Sequence, residues 1–474
     1  MTGYDLVAYP SKAFPQCHPD RLALMARMFG LNPAPPRTSR VLEIGCGDGV
    51  NLIASAVVLP EAKFYGIDLS ESAIRRGRKL VRELGLKNVR LETRDLRALP
   101  ARTGKFDYVI AHGLCSWVPS DVREALLAVI QSALARDGIA FVSYNAYPGA
   151  YLRQMVREMA GMFSDSGISQ AREWLARAQQ PQAGPPVYRA VLTDEASDML
   201  RREDGALFHD DLAKSNQPFW FRDFIAFAAT HGLQYVSEAD LATTGCFGLT
   251  PAAAQEALAF AGPRRLDLEQ YADFLRGRRF RQTLLCHKDH SVLAEPDTTK
   301  LRNCFAGGPL NPGIPRAAGT VEFVNRAGPR FQTDNPEYRA ILESLAAAWP
   351  VYLPVDDFGS ASYPRFAALF AAGMLDLRTV APPVEARRGS RPAASPLARA
   401  QALRGASVTT LHHLEVFIES ASLRAVLSLA DGTRTRAMLR RDLRKIYPHE
   451  TSAHVASALD QHLEELRQYG LLRG

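Results

Sequence analysis

Two carboxylates set among glycines are the first chemistry visible in this chain. In Arg40-Val41-Leu42-Glu43-Ile44-Gly45-Cys46-Gly47-Asp48-Gly49, three glycines alternate, and Glu43 and Asp48 flank and punctuate them. Glycines allow backbone angles closed to other residues and let a ligand lie against bare main chain. The dinucleotide pattern G-x-G-x-x-G would want another glycine where Val50 stands. A phosphate charge within ~4 Å of either acid would be repelled by about 1 kcal/mol in water and about 4 kcal/mol at a protein-like dielectric. The loop therefore favours a cationic, phosphate-free ligand over NAD. S-adenosylmethionine, with its sulfonium and ammonium groups, meets both conditions.

Two further acids fit the same ligand. Asp68 closes Ala62-Lys63-Phe64-Tyr65-Gly66-Ile67, where a carboxylate can accept both ribose hydroxyls. Asp95 closes Asn88-Val89-Arg90-Leu91-Glu92-Thr93-Arg94 and suits the adenine amino group. Glu43, Gly45, Cys46, Gly47, Gly49, Asn51, Asp68, Leu69, Asp95, Leu96 and His112 are the candidate donor-binding residues. Cys46 reads as a small filler rather than a nucleophile. The acceptor would lie at the ends of the next two strands. His112 could bond donor or acceptor, or merely a backbone carbonyl, with Trp117 as a pocket wall. Tyr144, Asn145 and Tyr147 could orient an amine through hydroxyls and an amide, or else belong to a packed turn at Pro148-Gly149. The catalytic candidates are thus His112, Tyr144, Asn145 and Tyr147.

Positioning these groups requires a doubly wound α/β sheet, with ligands at the carboxyl ends of its strands. The alternating pattern predicts strands ending at Ile44, Asp68, Asp95, Ala111 and Asn145. Ser70 is placed to cap the helix after the second strand and Gly85 to stop it. A helix is predicted over Asp121–Ala135, where Val122, Leu126, Leu127, Ile130 and Leu134 recur at three and four. Residues 151–214 interrupt the sheet as a helix-prone insertion broken at Gly184-Pro185-Pro186. The core resumes at 215–292 with a helix from Phe221, a strand over 232–238, helices between Thr250 and Arg278, and an antiparallel seventh strand, Phe280 to His287. Neighbours Cys286 and His287 would point to opposite faces of that strand, which speaks for packing rather than catalysis.

Beyond the core, residues 293–381 read as a small α+β middle domain. It has a hairpin around Gly328-Pro329 and helices from Asn335-Pro336 and over Phe366–Leu377. Residues 382–396 read as a mobile linker rich in proline, arginine and alanine. Residues 397–474 read as a mainly helical, winged-helix-like domain. At the other end, Tyr4-Asp5, Tyr9, Phe14 and His18 read as an arm that either packs on the core or closes as a flap over the site.

A chain of 474 residues exceeds one core and calls for several domains. Its 47% hydrophobic and 23% charged content is that of a soluble globular protein. Scattered cysteines without a C-x-x-C pair argue against zinc and against a disulfide scaffold. No apolar stretch is long enough to span a bilayer, and the start Met1-Thr2-Gly3-Tyr4-Asp5 has no basic n-region and no apolar h-region, so a cytoplasmic location is expected. The net charge of +7 is spread over the length, and acids dilute the basic face of the C-terminal helices, so nucleic acid is not the expected partner.

The chain resembles class I methyltransferases that carry the methyltransferase regulatory domain, a group that includes bacterial protein-lysine methyltransferases. The resemblance rests on Tyr4-Asp5 with Tyr9, Val41 to Asn51-Leu52, Gly66-Ile67-Asp68-Leu69-Ser70, Ala111-His112-Gly113 with Ser116-Trp117-Val118-Pro119, and Ser143-Tyr144-Asn145 with Tyr147-Pro148-Gly149. His231-Gly232-Leu233-Gln234-Tyr235, Phe280-Arg281-Gln282-Thr283-Leu284-Leu285 and Asp431-Gly432-Thr433-Arg434 extend it to nearly the whole chain. It implies S-adenosylmethionine at Glu43, Gly45, Asp68 and Asp95, an acceptor near His112 and Tyr147, and a homodimer built partly from the inserted helices. Ala150 departs from the pattern, which would carry tryptophan there. Three kinds of function fit: methylation of protein side chains, with lysine favoured; methylation of a small molecule; or donor binding without turnover.

Overall fold

A computed structural model describes the chain except for residues 1–8, 10–11, 100–102, 163–166, 214, 317–318 and 387–388; the Tyr4-Asp5 part of the arm lies outside the described residues. The strands of the main sheet are β1 (Arg40–Ile44), β2 (Lys63–Asp68), β3 (Val89–Thr93), β4 (Phe106–Ala111), β5 (Leu134–Asn145), β6 (Leu233–Glu238) and β7 (Phe280–His287). Their order is β3-β2-β1-β4-β5-β7-β6. β1 to β5 run parallel, and β7 lies antiparallel between β5 and β6. Chain order reverses at β1 and β4, which opens the crevice in which such sheets bind ligands.

Side chains alternate across this sheet because successive strand residues face opposite ways. Val41, Phe64, Tyr108, Ile110 and Phe141 pack on one face with helices Pro19–Met28 and Val50–Val58. Leu42, Ile67, Val109, Val142 and Tyr144 pack on the other with helices Ser120–Ala133 and Phe221–Thr230. The insertion, with helices Ala150–Gly161, Ile168–Ala178 and Pro186–Leu200, has its own small core around Val156, Leu175, Ala196 and Met199.

The middle region shares its core with the first face of the sheet: Phe323, Leu342, Phe366 and Leu377 join the same apolar cluster as Leu24 and Ile53. Its helix expected over Phe366–Leu377 runs instead over Tyr363–Ala371, and Asp376–Arg378 is a strand. Gly373 adopts φ 68°, and the Met374 N–H donates to Leu369 O at 2.9 Å, which closes the helix end.

The described residues of the segment 382–396, expected to be a mobile linker, are tied down at both ends. Glu385 and Ser395 donate their N–H groups to Leu472 O and Leu471 O, and the Ala394 N–H to Ala430 O. The paired backbone at Glu385, Ala394 and Ser395 leaves these residues little of the freedom that the composition suggests. The C-terminal domain also contains a hairpin, Ser407–Thr409 with Glu415–Phe417, which the helical reading missed; these strands are three residues each, too short to show a period. Among the described residues no helix is long and apolar enough to cross a membrane.

Candidate functional site

A cavity of about 830 Å³ opens at the carboxyl ends of β1, β2, β4 and β5. One end is built by the glycine loop. The Gly47 N–H donates to Asp68 Oδ2 and the Ser70 N–H to Asp68 Oδ1, each at 2.8 Å. Asp68 therefore braces the loop, and each of its oxygens keeps a second lone pair for a ligand hydroxyl. Ser70 caps the following helix through the Ala73 N–H. Gly45, Cys46, Gly47, Asn51, Leu69 and Leu96 line this end. Gly49 does not: its place is the left-handed turn into helix Val50–Val58, where a Cβ would meet Leu91 at 2.8 Å. Cys46 is buried, and desolvation next to Glu43 pushes its thiol well above the ordinary range, so it is no nucleophile.

Glu43 lines the cavity from a buried position. Asn51 Nδ2 donates to its Oε1 at 3.0 Å, while Oε2 has no partner among the described residues. Burial, with Asp68 and Asp48 nearby, raises its pKa to about 8. At neutral pH without a ligand Glu43 is thus largely protonated, which corrects the picture of two charged acids flanking the loop. A buried acid with one orphaned oxygen fits a cationic ligand, which would restore the carboxylate. The donor set of Glu43, Asp68 and bare glycine backbone accordingly fits S-adenosylmethionine.

Asp95 lines the cavity too, but its carboxylate is forked by Arg97, with Nη2 at 2.7 Å, and it accepts the Arg97 N–H at 2.9 Å. It stands there as the cap of a short turn, Leu96–Ala98.

At the other end of the cavity lie His112, Trp117 and Asn145. His112 Nδ1 is 2.9 Å from Ser143 Oγ, which also accepts the Gly113 N–H at 2.8 Å. Phe14 packs edge-on against the imidazole at 4.1 Å. Burial lowers the His112 pKa to about 4, so the ring is neutral at physiological pH and a weak base. Asn145 donates its amide to Asn216 Oδ1 at 2.8 Å, which leaves its own Oδ1 as an acceptor.

Two catalytic candidates lie elsewhere. Tyr144, between Ser143 and Asn145 on β5, faces the opposite side of the sheet; it stacks on Phe224 at 3.9 Å and meets Thr283 Oγ1 at 3.2 Å. Tyr147 stacks on Tyr151 at 4.1 Å and leans on Trp220, and it does not line the cavity. In the arm, Tyr9 and Phe14 line the cavity, but His18 is buried away from it, accepting the Asp20 N–H at the start of helix Pro19–Met28.

The insertion supplies a wall that no sequence motif announced. Arg153, Arg157, Arg202, Asp198, Asp210 and Asp211 line the cavity beyond Asn145. Arg153 holds Asp211 at 2.8 Å and Asp198 at 2.9 Å, and Arg202 holds Asp210 at 3.1 Å. The Tyr9 hydroxyl reaches Asp210 at 3.1 Å. Desolvation raises Asp210 to about 6 against the opposing pull of Arg202. The only local signal was arginine-rich composition. Ala150 also lines the cavity, so a larger side chain there would take up part of it. Among the described residues no cluster is arranged to hold a metal ion.

This fold and site define a class I S-adenosylmethionine-dependent methyltransferase. Comparison with known proteins agrees. Residues 41–138 match the methyltransferase domain, 203–287 the "Predicted methyltransferase regulatory domain", and 390–448 the C-terminal winged helix domain of PKMT. The chain is 36% identical to the uncharacterised protein RP789 of Rickettsia prowazekii over 360 residues, which cover 72% of this chain and 65% of that protein. It is 34% identical to RP028 of the same organism over 47% of this chain and 92% of RP028. The solved structure of PKMT2 from Rickettsia typhi, also solved in complex with AdoHcy, superposes with a TM-score of 0.87 at 27% identity, covering 98% of this chain and 100% of that one. The chain belongs to the class I methyltransferases with a methyltransferase regulatory domain, and its cofactor is S-adenosylmethionine.

Proposed function

We propose that this protein methylates protein side chains, with the lysine ε-amine as acceptor. The observation that carries the reading is the charged wall beyond Asn145, where Asp198, Asp210 and Asp211 face a cavity shared with the glycine loop. An ammonium entering there meets carboxylates shared with Arg153 and Arg202, among which burial raises Asp210 to about 6. The whole-chain likeness to PKMT2 supports a protein acceptor.

S-adenosylmethionine, when bound, supplies a methyl group on a positive sulfur. The chain must present a neutral amine to it, and a free lysine, with a pKa of about 10.4, is almost wholly charged at neutral pH. Burial in the cavity lowers that pKa. Asn145 Oδ1 accepts an amine N–H, and Trp117 and Phe14 exclude water around it. His112, neutral and weakly basic, orients rather than deprotonates. Asp210, raised to about 6 by burial, suits the receipt of the departing proton.

A homodimer through the insertion is part of the same proposal, supported by the exposure of Met162, just past helix Ala150–Gly161, and of Val187 in helix Pro186–Leu200; size-exclusion chromatography with light scattering reads it directly. The function is tested by incubating the protein with methyl-labelled donor and cell extract, then locating the label by mass spectrometry. Label on lysine side chains is the expected result. Label confined to small molecules would replace the reading with a metabolite methyltransferase, and no label would leave donor binding without turnover.

A further inference from the structure

One side chain from the C-terminal domain reaches the donor site. His413 sits in the tight turn of the hairpin Ser407–Thr409/Glu415–Phe417, buried, with φ 65°. A non-glycine residue held in the left-handed region is uncommon and asks for a reason. Its Nε2 lies 3.0 Å from Asn51 Oδ1, a contact across 362 positions of sequence. Asn51, in the first turn of helix Val50–Val58, is the residue whose Nδ2 bonds Glu43 Oε1.

The orientation of this relay follows from its fixed donor. The Phe14 backbone N–H donates to Asn51 Oδ1 at 3.0 Å, so the oxygen faces that side and the amide nitrogen faces Glu43. The proton between Asn51 and His413 must then come from the imidazole. Burial and the nearby Arg378 guanidinium keep the ring neutral, with its pKa lowered to about 3, so Nε2 carries its one N–H. The turn is clamped from behind: Arg378 Nη2 donates to His412 O at 3.0 Å, and the His18 ring packs edge-on against His413 at 4.9 Å. The arm and the C-terminal hairpin thus converge on one asparagine, which in turn presents Glu43, among the described residues the acid of the cavity with an unpartnered buried oxygen.

We propose that His413 is a positioning residue for donor binding: through Asn51 it holds Glu43 with Oε2 directed at the cationic end of S-adenosylmethionine. The winged-helix domain is therefore part of the donor site. This rests on the placement of the donor at the glycine loop. Loss of that placement would show as no binding by the wild-type protein, whereas failure of the present inference shows only in the variants.

The test compares His413→Gln with His413→Met in the full chain. Both are close to histidine in size and both meet the same cost of the left-handed backbone, but only glutamine offers an N–H. Calorimetric titration with S-adenosylhomocysteine should give a Kd within about threefold of wild type for the glutamine variant and raised about tenfold for the methionine variant, one lost hydrogen bond to a polar partner. With acceptor saturating, the methionine variant should show the same rise in donor KM and little change in kcat. Equal Kd values for the two variants, with matching melting temperatures, would overturn the proposal. If neither variant folds, hydrogen exchange on the wild-type protein decides. Residues 407–417 should gain protection when S-adenosylhomocysteine binds, and unchanged exchange there would overturn it as well.

Discussion

The Gly47 N–H and Asp68 Oδ2 meet at 2.8 Å, so the loop after β1 and the acid after β2 form one bonded unit. Replacing Asp68 removes a ligand acceptor and the brace of the loop together. Asp68→Ala should weaken S-adenosylhomocysteine binding by roughly 100-fold, about two charge-assisted hydrogen bonds at 1.5 kcal/mol each. Isothermal titration reads this, and a change below threefold would remove Asp68 from the donor site.

Glu43 makes stability depend on pH in a defined direction. Its pKa of about 8 in the folded protein exceeds its ordinary value of 4.5, so the folded state holds a proton that the unfolded chain releases. Its contribution is intact below about pH 4.5 and is lost as pH rises through 8, by an amount on the order of 4–5 kcal/mol. In the ligand-free protein, Glu43→Gln should therefore melt higher than wild type at pH 8 and show a flatter melting curve against pH. Calorimetric scans from pH 5 to 8 that run parallel for the two proteins would contradict this origin.

The two faces of β5 predict opposite phenotypes for neighbouring residues. If the acceptor lies as proposed, His112→Asn and Asn145→Ala, both lining the cavity, should each lower kcat by about 10- to 100-fold with donor affinity within threefold. Tyr144→Phe should leave kcat within twofold and cost about 0.5–1.5 kcal/mol of stability through the lost Thr283 bond. Tyr147→Phe should also leave kcat within twofold. Steady-state kinetics beside denaturant unfolding separates these outcomes, and a large kcat loss in Tyr144→Phe would reverse the assignment of faces.

Arg281 is fully buried and bonds Glu238 at 2.7 Å, Asp273 at 2.8 Å and Glu269 at 3.1 Å. It also lies over the Phe221 ring at 3.9 Å. These contacts lock β6, β7 and the helix Arg265–Arg276 together. Arg278 also holds Asp273 at 3.0 Å, but removing Arg281 leaves Glu238 and Glu269 without an ion-pair partner in the interior, so Arg281→Met should cost at least about 3–5 kcal/mol and yield little folded protein. Urea unfolding within about 1 kcal/mol of wild type would show that the acids are neutralised some other way.

The donor half of the site was legible in the chain because it is local. Gly45 to Asn51 is one strand-loop-helix passage and Asp68 ends a strand whose alternation is visible in ten residues, whereas Asp95, expected at the end of the third strand, stands two residues past it as the cap of the turn Leu96–Ala98. Burial changed the meaning of one of these residues without moving it: Glu43 keeps its place, but desolvation leaves it protonated until a cation arrives. The acceptor half was legible only in part. Period-two alternation already implied that Tyr144 and Asn145 face opposite ways, yet which face held the cavity depended on where helix Phe221–Thr230 packed. The wall of Asp198, Asp210 and Asp211 was signalled by nothing beyond an arginine-rich composition, and the reach of His413 to Asn51 had no local signature. Both are contacts between segments far apart in sequence, and such contacts are set by how separate cores dock, a choice that no short stretch of residues records.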